Sequence, residues 1–476
     1  MLLPPHFLAA NIFLSSHIPR MQLSHYALIF PWPNDPDLRL LFSTRTGASA
    51  LVPLEILAGM ESGALDAEST ATLTELGLVV PDRHAEKAAV LNLPAELNRL
   101  RRVMKVSIVV TMECNFRCRY CYEGSRKGKQ RMSEVTAKRL VEYIKERFTP
   151  ETTRLTLDFY GGEPLLAVAM IKKIAAPLKE YMEQRGAEFE ITLVTNGSLL
   201  TRENVEALLP VGLSRAKVTI DGPPRVHNAF RPFKNGGPTF DRIVDNIRQC
   251  AELVRIAVNG NFTRDTYREF PELFTHLAQA ALTPEKISQI SFAPVLHVGG
   301  PHATDFCGGC VSSGEKWLAR AATCLDREIA GHGFPPATGA FSPSLCMVDV
   351  DNSFVVHYDG GIYQCVAMVG NSEFRCGDIF TGMTDYREQY HVGHWQKEET
   401  CRECVYLPLC FGGCRFMARQ RDGDMGRVEC MQGFYDAVLA DLVGQDSFGA
   451  HAVETSRYPR EKIHFSGDIM QKTGCG

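Results

Sequence analysis

No apolar run in this chain reaches the ~20 residues that a helix needs to span a bilayer. Residues 1–20, MLLPPHFLAANIFLSSHIPR, also lack the positively charged start of a secretory signal, with Pro4, Pro5 and His6 ahead of a short apolar patch. The expectation is a cytoplasmic protein with no membrane partner, in which residues 1–21 form an extension outside the fold and Met21 is an alternative start. Neither sign of charge dominates: Lys plus Arg is 51 and Asp plus Glu is 55, so the net charge is 51 − 55 = −4. That balance argues against nucleic acid as the main partner. A further absence is local. Cys114, Cys118 and Cys121 fall within eight positions, and no fourth cysteine follows in reach. A structural zinc wants four ligands and a disulfide wants two.

Cysteine itself is plentiful, with 16 residues, and clustered. In a reducing compartment clustered thiols read as metal ligands rather than disulfides. Residues 22–95 form a first unit. Its two strand-like runs, HYALIFPWP and LRLLFSTRT, flank the turn residues NDPD, and helix-like stretches follow at 53–61 and 66–77. Between 100 and 300, strand-like runs (KVSIVVT, LTLDFYGG, FEITLVTNG, AKVTIDG, VRIAVNGNFT and ISQISFAPVLHV) alternate with helical stretches such as 133–147 and 166–185. That pattern predicts a parallel sheet with crossover helices, an α/β partial (β/α)6 TIM-like barrel. Chemistry in such barrels sits at the C-terminal ends of strands, where YGGEP, TNGS and TIDG fall. Residues 301–345 give no firm reading beyond a linker or insertion. Residues 346–430 hold eight cysteines among many glycines, so metal clusters are the expected source of stability there. A helix-like run, GFYDAVLADLVG, leads into a polar tail at 436–476.

Three thiolates can hold three irons of a [4Fe–4S] cluster, which ordinarily takes four. The fourth iron is then open to a ligand that is not protein. A three-cysteine zinc knuckle with a distant fourth ligand is the structural alternative. The spacing C-x3-C-x2-C, with Tyr120 before the last Cys, resembles the signature loop of radical S-adenosylmethionine (SAM) enzymes. In those enzymes SAM chelates the open iron and is cleaved to a 5′-deoxyadenosyl radical. FYGGEP at 159–164 resembles the family's GGE motif. Gly161 and Gly162 would let backbone approach the ligand, and Glu163 would accept from the SAM ammonium. TNG at 195–197 matches as well, adding Thr195 and Asn196. TIDGPPRVHNAFR at 219–231 resembles the S-x-D-G…H-D…R segment: Thr219 stands for Ser, Asn228 for Asp, Asp221 is kept, and Arg231 would pair with the SAM carboxylate.

The cysteine-rich half resembles the SPASM domain of peptide-modifying radical SAM enzymes over 346–435, with seven Cys and Gly360 in register. The resemblance implies two auxiliary clusters, one held by Cys346, Cys365 and Cys414, the other by Cys401, Cys404, Cys410 and Cys430, and so three [4Fe–4S] clusters in all. The first of these sets has only three ligands. Cys307, Cys310, Cys324 or Cys376 would complete it, or it stays open to a substrate thiolate. Cys250 and Cys475 read as ordinary thiols.

Two branches of the family bear on the reaction. Anaerobic sulfatase-maturating enzymes, which make formylglycine, carry a basic Asp directly after the Cys matching Cys365; here it is Val366. Maturases of ribosomally made peptides form thioether or carbon–carbon crosslinks and often carry a winged-helix-like module for the leader peptide, which residues 22–95 resemble; the layout looks most like the geopeptide type. The expected partners are a precursor peptide and an electron donor such as flavodoxin or ferredoxin. A non-enzymatic iron–sulfur electron carrier is the alternative outside enzymology, but a carrier has no use for GGEP, TIDG and Arg231 around an open iron.

Overall fold

The computed structural model describes residues 21–32, 35–62, 64–298, 306, 308–335, 341 and 343–448. The expected extension 1–20, Cys307, Cys475 and the end of the tail lie outside them.

The N-terminal unit has the strands-then-helices order that its sequence predicts. β2 (Ala27–Pro31), β3 (Leu38–Ser43) and β4 (Ser49–Pro53) make an antiparallel sheet in that order, and β1 (Gln22–Leu23) pairs with β5 (Val79–Val80). Helices α1 (Leu54–Ser62) and α2 (Ala67–Glu75) follow β4. Asp66 caps α2 by accepting from Ser69 N at 2.8 Å. A third helix, α3 (Arg83–Leu100), was not legible from its charged sequence, and it carries the unit five residues past 95. Asp82 caps it, and Val90 and Leu93 are buried.

The barrel follows. Its strands are β6 (Val103–Thr111), β7 (Arg154–Gly161), β8 (Glu188–Thr195), β9 (Leu213–Thr219), β10 (Arg255–Phe262) and β11 (Ile287–Pro294). All five neighbouring pairs are parallel. The intervening helices are α4 (Glu134–Glu146), α5 (Val168–Gln184), α6 (Arg202–Leu208), α7 (Pro224–Phe230), α8 (Phe240–Cys250) and α9 (Pro271–Gln279). Successive strand residues face opposite ways, which decides the two layers. Leu155, Leu157 and Phe159 of β7 are fully buried in one core with Ile144, Ile171 and Leu178 of the helices. Their neighbours Thr156 and Asp158 turn instead, with Lys105, Glu190, Thr192 and Lys217, onto a polar cavity of about 420 Å³. The apolar layer holds the barrel together and the polar layer lines its interior.

Beyond the barrel come α10 (Lys316–Gly331), β12 (Ser353–Val356), β13 (Gly361–Tyr363), β14 (Gly377–Asp378) and β15 (Gly382–Met383). Four more helices follow, α11 (Glu399–Arg402), α12 (Leu407–Cys410), α13 (Arg415–Asp422) and α14 (Gln432–Phe448). The cysteine-rich region is not a separate body. β12 pairs in parallel with β6, Val356 opposite Ile108, so one ten-stranded sheet runs from the barrel into it. The start of the tail is likewise docked, as α14.

The N-terminal sheet is buried on both faces. Leu41, Ala50 and Val52 pack on Ile56, Met60 and Leu73 of its own helices. Leu38, Leu40 and Phe42 pack with Trp32 on Tyr406, Leu409, Tyr435 and Leu439. Thr44 Oγ1 donates to Val405 O at 2.5 Å, which pins the unit to the cysteine-rich loop. Among the described residues no helix is long and apolar enough to cross a membrane.

Candidate active site

β6 ends at Thr111 and the chain then crosses the mouth of the barrel, carrying the three cysteines. Backbone bonds fix its path: Arg117 N donates to Pro232 O and Arg119 N to Phe230 O, both at 2.9 Å, and Phe116 meets Phe233 edge-on at 5.2 Å. Cys118 is within electrostatic reach of both Cys114 and Cys121 here. Burial pushes the Cys114 thiol up to about 11 and raises Cys118, and the charge of Cys121 adds to the rise at Cys118. Two cations oppose it. One is Arg231. The other, Lys127, is a residue that motif reading missed. Burial works against its ammonium, but the charges of Cys121, Cys114 and Cys118 outweigh that and hold it above its ordinary value. A lysine six residues beyond the last cysteine carries no spacing signal.

Gly161 and Gly162 make room for backbone of this same chain. A Cβ on Gly161 would stand 2.6 Å from Thr111 O and one on Gly162 2.3 Å from Glu113 O. That approach lets Gly162 N donate to Thr111 O at 3.0 Å and Glu163 N to Glu113 O at 2.8 Å, stitching the end of β7 to the cysteine loop. Glu163 is thereby delivered beneath Cys114 with no solvent exposure. Its Oε1 accepts from Thr195 Oγ1 at 2.7 Å and Leu165 N at 3.1 Å. Its Oε2 accepts from Asn196 N at 2.8 Å, leaving one lone pair there. Asn196 Nδ2 donates to Asn115 Oδ1 at 2.8 Å, so TNG, GGE and the cysteine loop form one network.

A second hub faces Cys118. Tyr120 donates its hydroxyl to Asp221 and accepts from Arg231 at 2.7 Å and from Asn261 Nδ2 at 3.1 Å. Asp221 lies 3.9 Å from Arg231 and accepts from Asn261 N at 2.8 Å. Burial alone would lower Arg231, but Cys118, Tyr120 and Asp221 outweigh it, and its Nε is buried without a partner among the described residues. Thr219 donates to Asn259 Oδ1 at 3.3 Å in the adjoining strand. Asn228, at the family's Asp position, accepts from Thr239 N at 2.8 Å and Phe240 N at 3.0 Å and so caps α8. An amide oxygen does that as well as a carboxylate, so the departure from the pattern leaves the segment intact.

Among the remaining cysteines, Cys346 and Cys414 bear on Cys365, and Cys404 and Cys430 bear on Cys401 and Cys410. Burial pushes Cys365 up to about 12, reinforced by the charges of Cys346 and Cys414. Burial, then Cys404 and Cys430, raises Cys401 to about 11, and burial with Cys404, Cys401 and Cys430 raises Cys410 to about 12. Gly413 explains how Cys430 arrives: a Cβ there would be 2.0 Å from Glu429 O, so only glycine lets the segment before Cys430 lie against the Cys410–Cys414 turn. Among the described residues no three Cys, His, Asp or Glu side chains converge as a single metal ion requires.

Of the proposed fourth ligands, Cys310 donates to Ser312 O at 3.0 Å, Cys376 donates to Ile362 O at 3.3 Å, and Cys324 packs with Phe270 and Leu325. Cys250 is a core thiol that donates to Leu200 O at 3.2 Å. A buried ion pair, Arg415 to Asp349 at 2.6 Å, sits beside Cys346 and was also missed.

These features agree with comparisons to known proteins. Residues 108–277 match the radical SAM superfamily. A serine-type anaerobic sulfatase-maturating enzyme of Bacteroides thetaiotaomicron is 27% identical over 368 residues, 68% of this chain and 85% of that protein. An Fe-coproporphyrin III synthase of Methanosarcina barkeri is 26% identical over 44% of this chain, which spans only 48% of that relative. The solved structure of native anSMEcpe with bound AdoMet superposes with a TM-score of 0.55 at 17% identity over 72% of this chain and 99% of that one. Streptococcus suis SuiB bound to its precursor peptide SuiA gives 0.52 at 15% identity over 86% and 99%. At these identities the two structures speak for the fold.

Proposed function

Given that residues 108–277 are a radical SAM domain, we propose that this enzyme is a SPASM-type maturase that abstracts hydrogen from a ribosomally made peptide and forms a thioether or carbon–carbon crosslink. The observation that carries the reading is the position of Tyr160. At the barrel mouth it feels both Cys121, of the first cysteine group, and Cys365, of the second. A substrate residue seated there would stand between two redox centres. Cys114, Cys118 and Cys121 would hold a [4Fe–4S] cluster, which when bound would supply the electron for SAM cleavage.

The chain's own residues then have binding roles. The remaining lone pair of Glu163 Oε2 faces the SAM ammonium, with Thr195, Asn196 and Gly162 fixing that carboxylate. Arg231, steadied by Tyr120 and Asp221, takes the SAM carboxylate, and Thr219 lies alongside. Cys346, Cys365 and Cys414, and separately Cys401, Cys404, Cys410 and Cys430, would hold two further clusters that would supply one-electron transfer, with a flavodoxin- or ferredoxin-like partner in the cytoplasm as the electron donor. The peptide substrate is supported by SuiB and by anSMEcpe, each solved with a peptide bound. The unit 22–100 supplies free edges at β2 and β4, each paired only with β3 among the described residues, on which a leader strand could add.

Formylglycine formation is the second reading, favoured by the 27% identical relative. Val366 counts against it, because an apolar side chain follows Cys365 where that chemistry uses a base.

The test is anaerobic reconstitution. The protein should bind about twelve irons, three clusters of four, and when reduced should convert SAM to 5′-deoxyadenosine. Replacing Cys114, Cys118 and Cys121 with Ala should abolish that conversion and leave about eight irons. Full SAM cleavage by the triple variant would sink the assignment.

A further inference from the structure

A cavity of about 340 Å³ lies between β11, α10 and α14. Phe262, Ile290, Phe292 and Pro294 line it from the strands, and Leu325 and Asp326 from α10. Asp326 stands within the buried stripe of α10, one residue past Leu325 and three before Ile329. That spacing calls for an apolar residue. Among the described residues Asp326 Oδ2 is buried without a hydrogen-bond partner. Burial alone pushes the carboxyl up to about 6, and no neighbouring cation offsets it. Other polar groups in the wall are satisfied: Cys310 donates to Ser312 O at 3.0 Å, and the Tyr435 hydroxyl donates to Leu409 O at 3.2 Å.

The strand beside this cavity has an open side. β11 ends the ten-stranded sheet and pairs only with β10 among the described residues, and Ala293 near its end is exposed. Successive residues of a strand face opposite ways. Gln289 turns onto the polar interior of the barrel, while Ile290, Phe292 and Pro294 turn onto the cavity. Ala293 therefore faces inward with Gln289. It pairs in register with Asn261, whose Nδ2 donates to the Tyr120 hydroxyl at 3.1 Å, in the hub that faces Cys118. The bland account of the cavity is a packing void. Empty voids are apolar, and a carboxylate left in one without a partner is costly.

We propose that an extended segment of the substrate peptide adds to the free edge of β11, with the residue to be modified opposite Ala293 and a basic side chain on an adjoining residue entering the cavity toward Asp326. The inference rests on the peptide-maturase reading above and names a sequence requirement of that substrate. An added strand lies about 4.8 Å from its neighbour and alternates its side chains with the same period. The residue opposite Ala293 then faces the Tyr120 hub, and the next residue along the chain faces the apolar wall. Main-chain bonds supply the affinity and the pocket supplies the selectivity. A basic side chain suits this wall: its methylene stem packs on Ile290 and Leu325 while its charged head meets the carboxylate, with the rings of Phe262 and Phe292 in the same wall. A glutamate would meet Asp326 as a like charge, and a short polar side chain would leave it unpaired.

The probes are the blocked peptide acetyl-Ala-Lys-Cys-Lys-Ala-amide and the same peptide with norleucine for both lysines. Each is titrated into reconstituted, SAM-loaded holoenzyme at about pH 8, where a carboxyl of this kind is ionised, and followed by ligand-observed NMR. Wild-type protein should bind the lysine peptide about tenfold more tightly, the value of one hydrogen bond to a charged acceptor. In Asp326→Asn the preference should fall below about threefold, while the norleucine peptide binds variant and wild type alike. Methylating the backbone amides of the lysine peptide one at a time should weaken binding at alternate positions only, as pairing along one strand edge requires. Iron content and melting temperature establish that the variant is folded; should Asp326→Asn fail to fold, Asp326→Leu, which suits the apolar stripe, carries the comparison. Equal binding of the two peptides by wild type, no binding of either, an undiminished preference in the folded variant, or equal losses at every methylated amide would overturn the subsite. Failure of wild type to cleave SAM would instead remove the reading beneath it, so the two failures are distinct.

Discussion

His394 is 2% exposed, its ring pressed against Gly412 with Nε2 3.1 Å from Gly412 O. Burial, then the charge of Arg415, lowers its pKa from 6.5 to about 4. A base whose folded pKa is depressed binds its proton more readily when unfolded. The stability of the neutral ring is therefore complete above pH 6.5 and lost as pH falls toward 4, by roughly 3 kcal/mol at most. Anaerobic urea titrations should show the loss across that window, and His394→Gln should flatten it. An unchanged slope in the variant would place the acid sensitivity elsewhere. At this scale the sequence was legible where chemistry demands fixed spacing. Glu163 and Arg231 are both buried near the first cysteine loop, which their motifs made legible. Lys127, Arg415 and His394 were not legible, because what makes each notable is burial beside a distant partner. The motif marks a close approach at Gly162, and only the fold says that Glu113 O is among its neighbours.

Among elements, the strand–helix alternation was readable because period-2 and period-3.6 patterns are local. Long-range pairing was not. SFVV at 353–356 gave no sign that it would extend the barrel by lying parallel to β6, and α3, with its charged residues, has too weak a stripe to announce a helix. Asn228 tests how far a motif departure matters. Its side chain serves the first turn of α8 from the end of α7, holding the loop that aims Arg231. Asn228→Ala should cost about 1 kcal/mol by removing the cap, while Asn228→Asp should be neutral or slightly stabilising near a helix N-terminus. Thermal melts decide it. An Ala variant as stable as wild type would mean that the loop is held by Thr239 and Arg231 O alone.

Over the whole molecule, the two-sided burial of the N-terminal sheet changes what its removal would do. As a tethered leader-binding module, residues 21–100 could be cut away without harm to the metal sites. The packing argues otherwise. Leu38, Leu40 and Phe42 cover Tyr406, Leu409 and Tyr435, and Val90 and Leu93 cover Trp395, Leu407 and Phe411, with Cys401, Cys404 and Cys410 among the side chains packed at these contacts. Exposing several such side chains removes about 1.5–3 kcal/mol of burial each, on a segment whose short helices hold little apolar core of their own. The barrel core, centred on β6 to β11, is a separate cluster and contains none of these residues. Deleting residues 1–100 should therefore leave SAM cleavage in place while iron falls from about twelve to about eight per chain, the loss coming from the Cys401–Cys430 set. Iron assay with SAM turnover on the same preparation reads both. A truncated enzyme that keeps all its iron would show the cysteine-rich loop to be self-supporting, and the N-terminal unit would then be free to act only as a peptide handle.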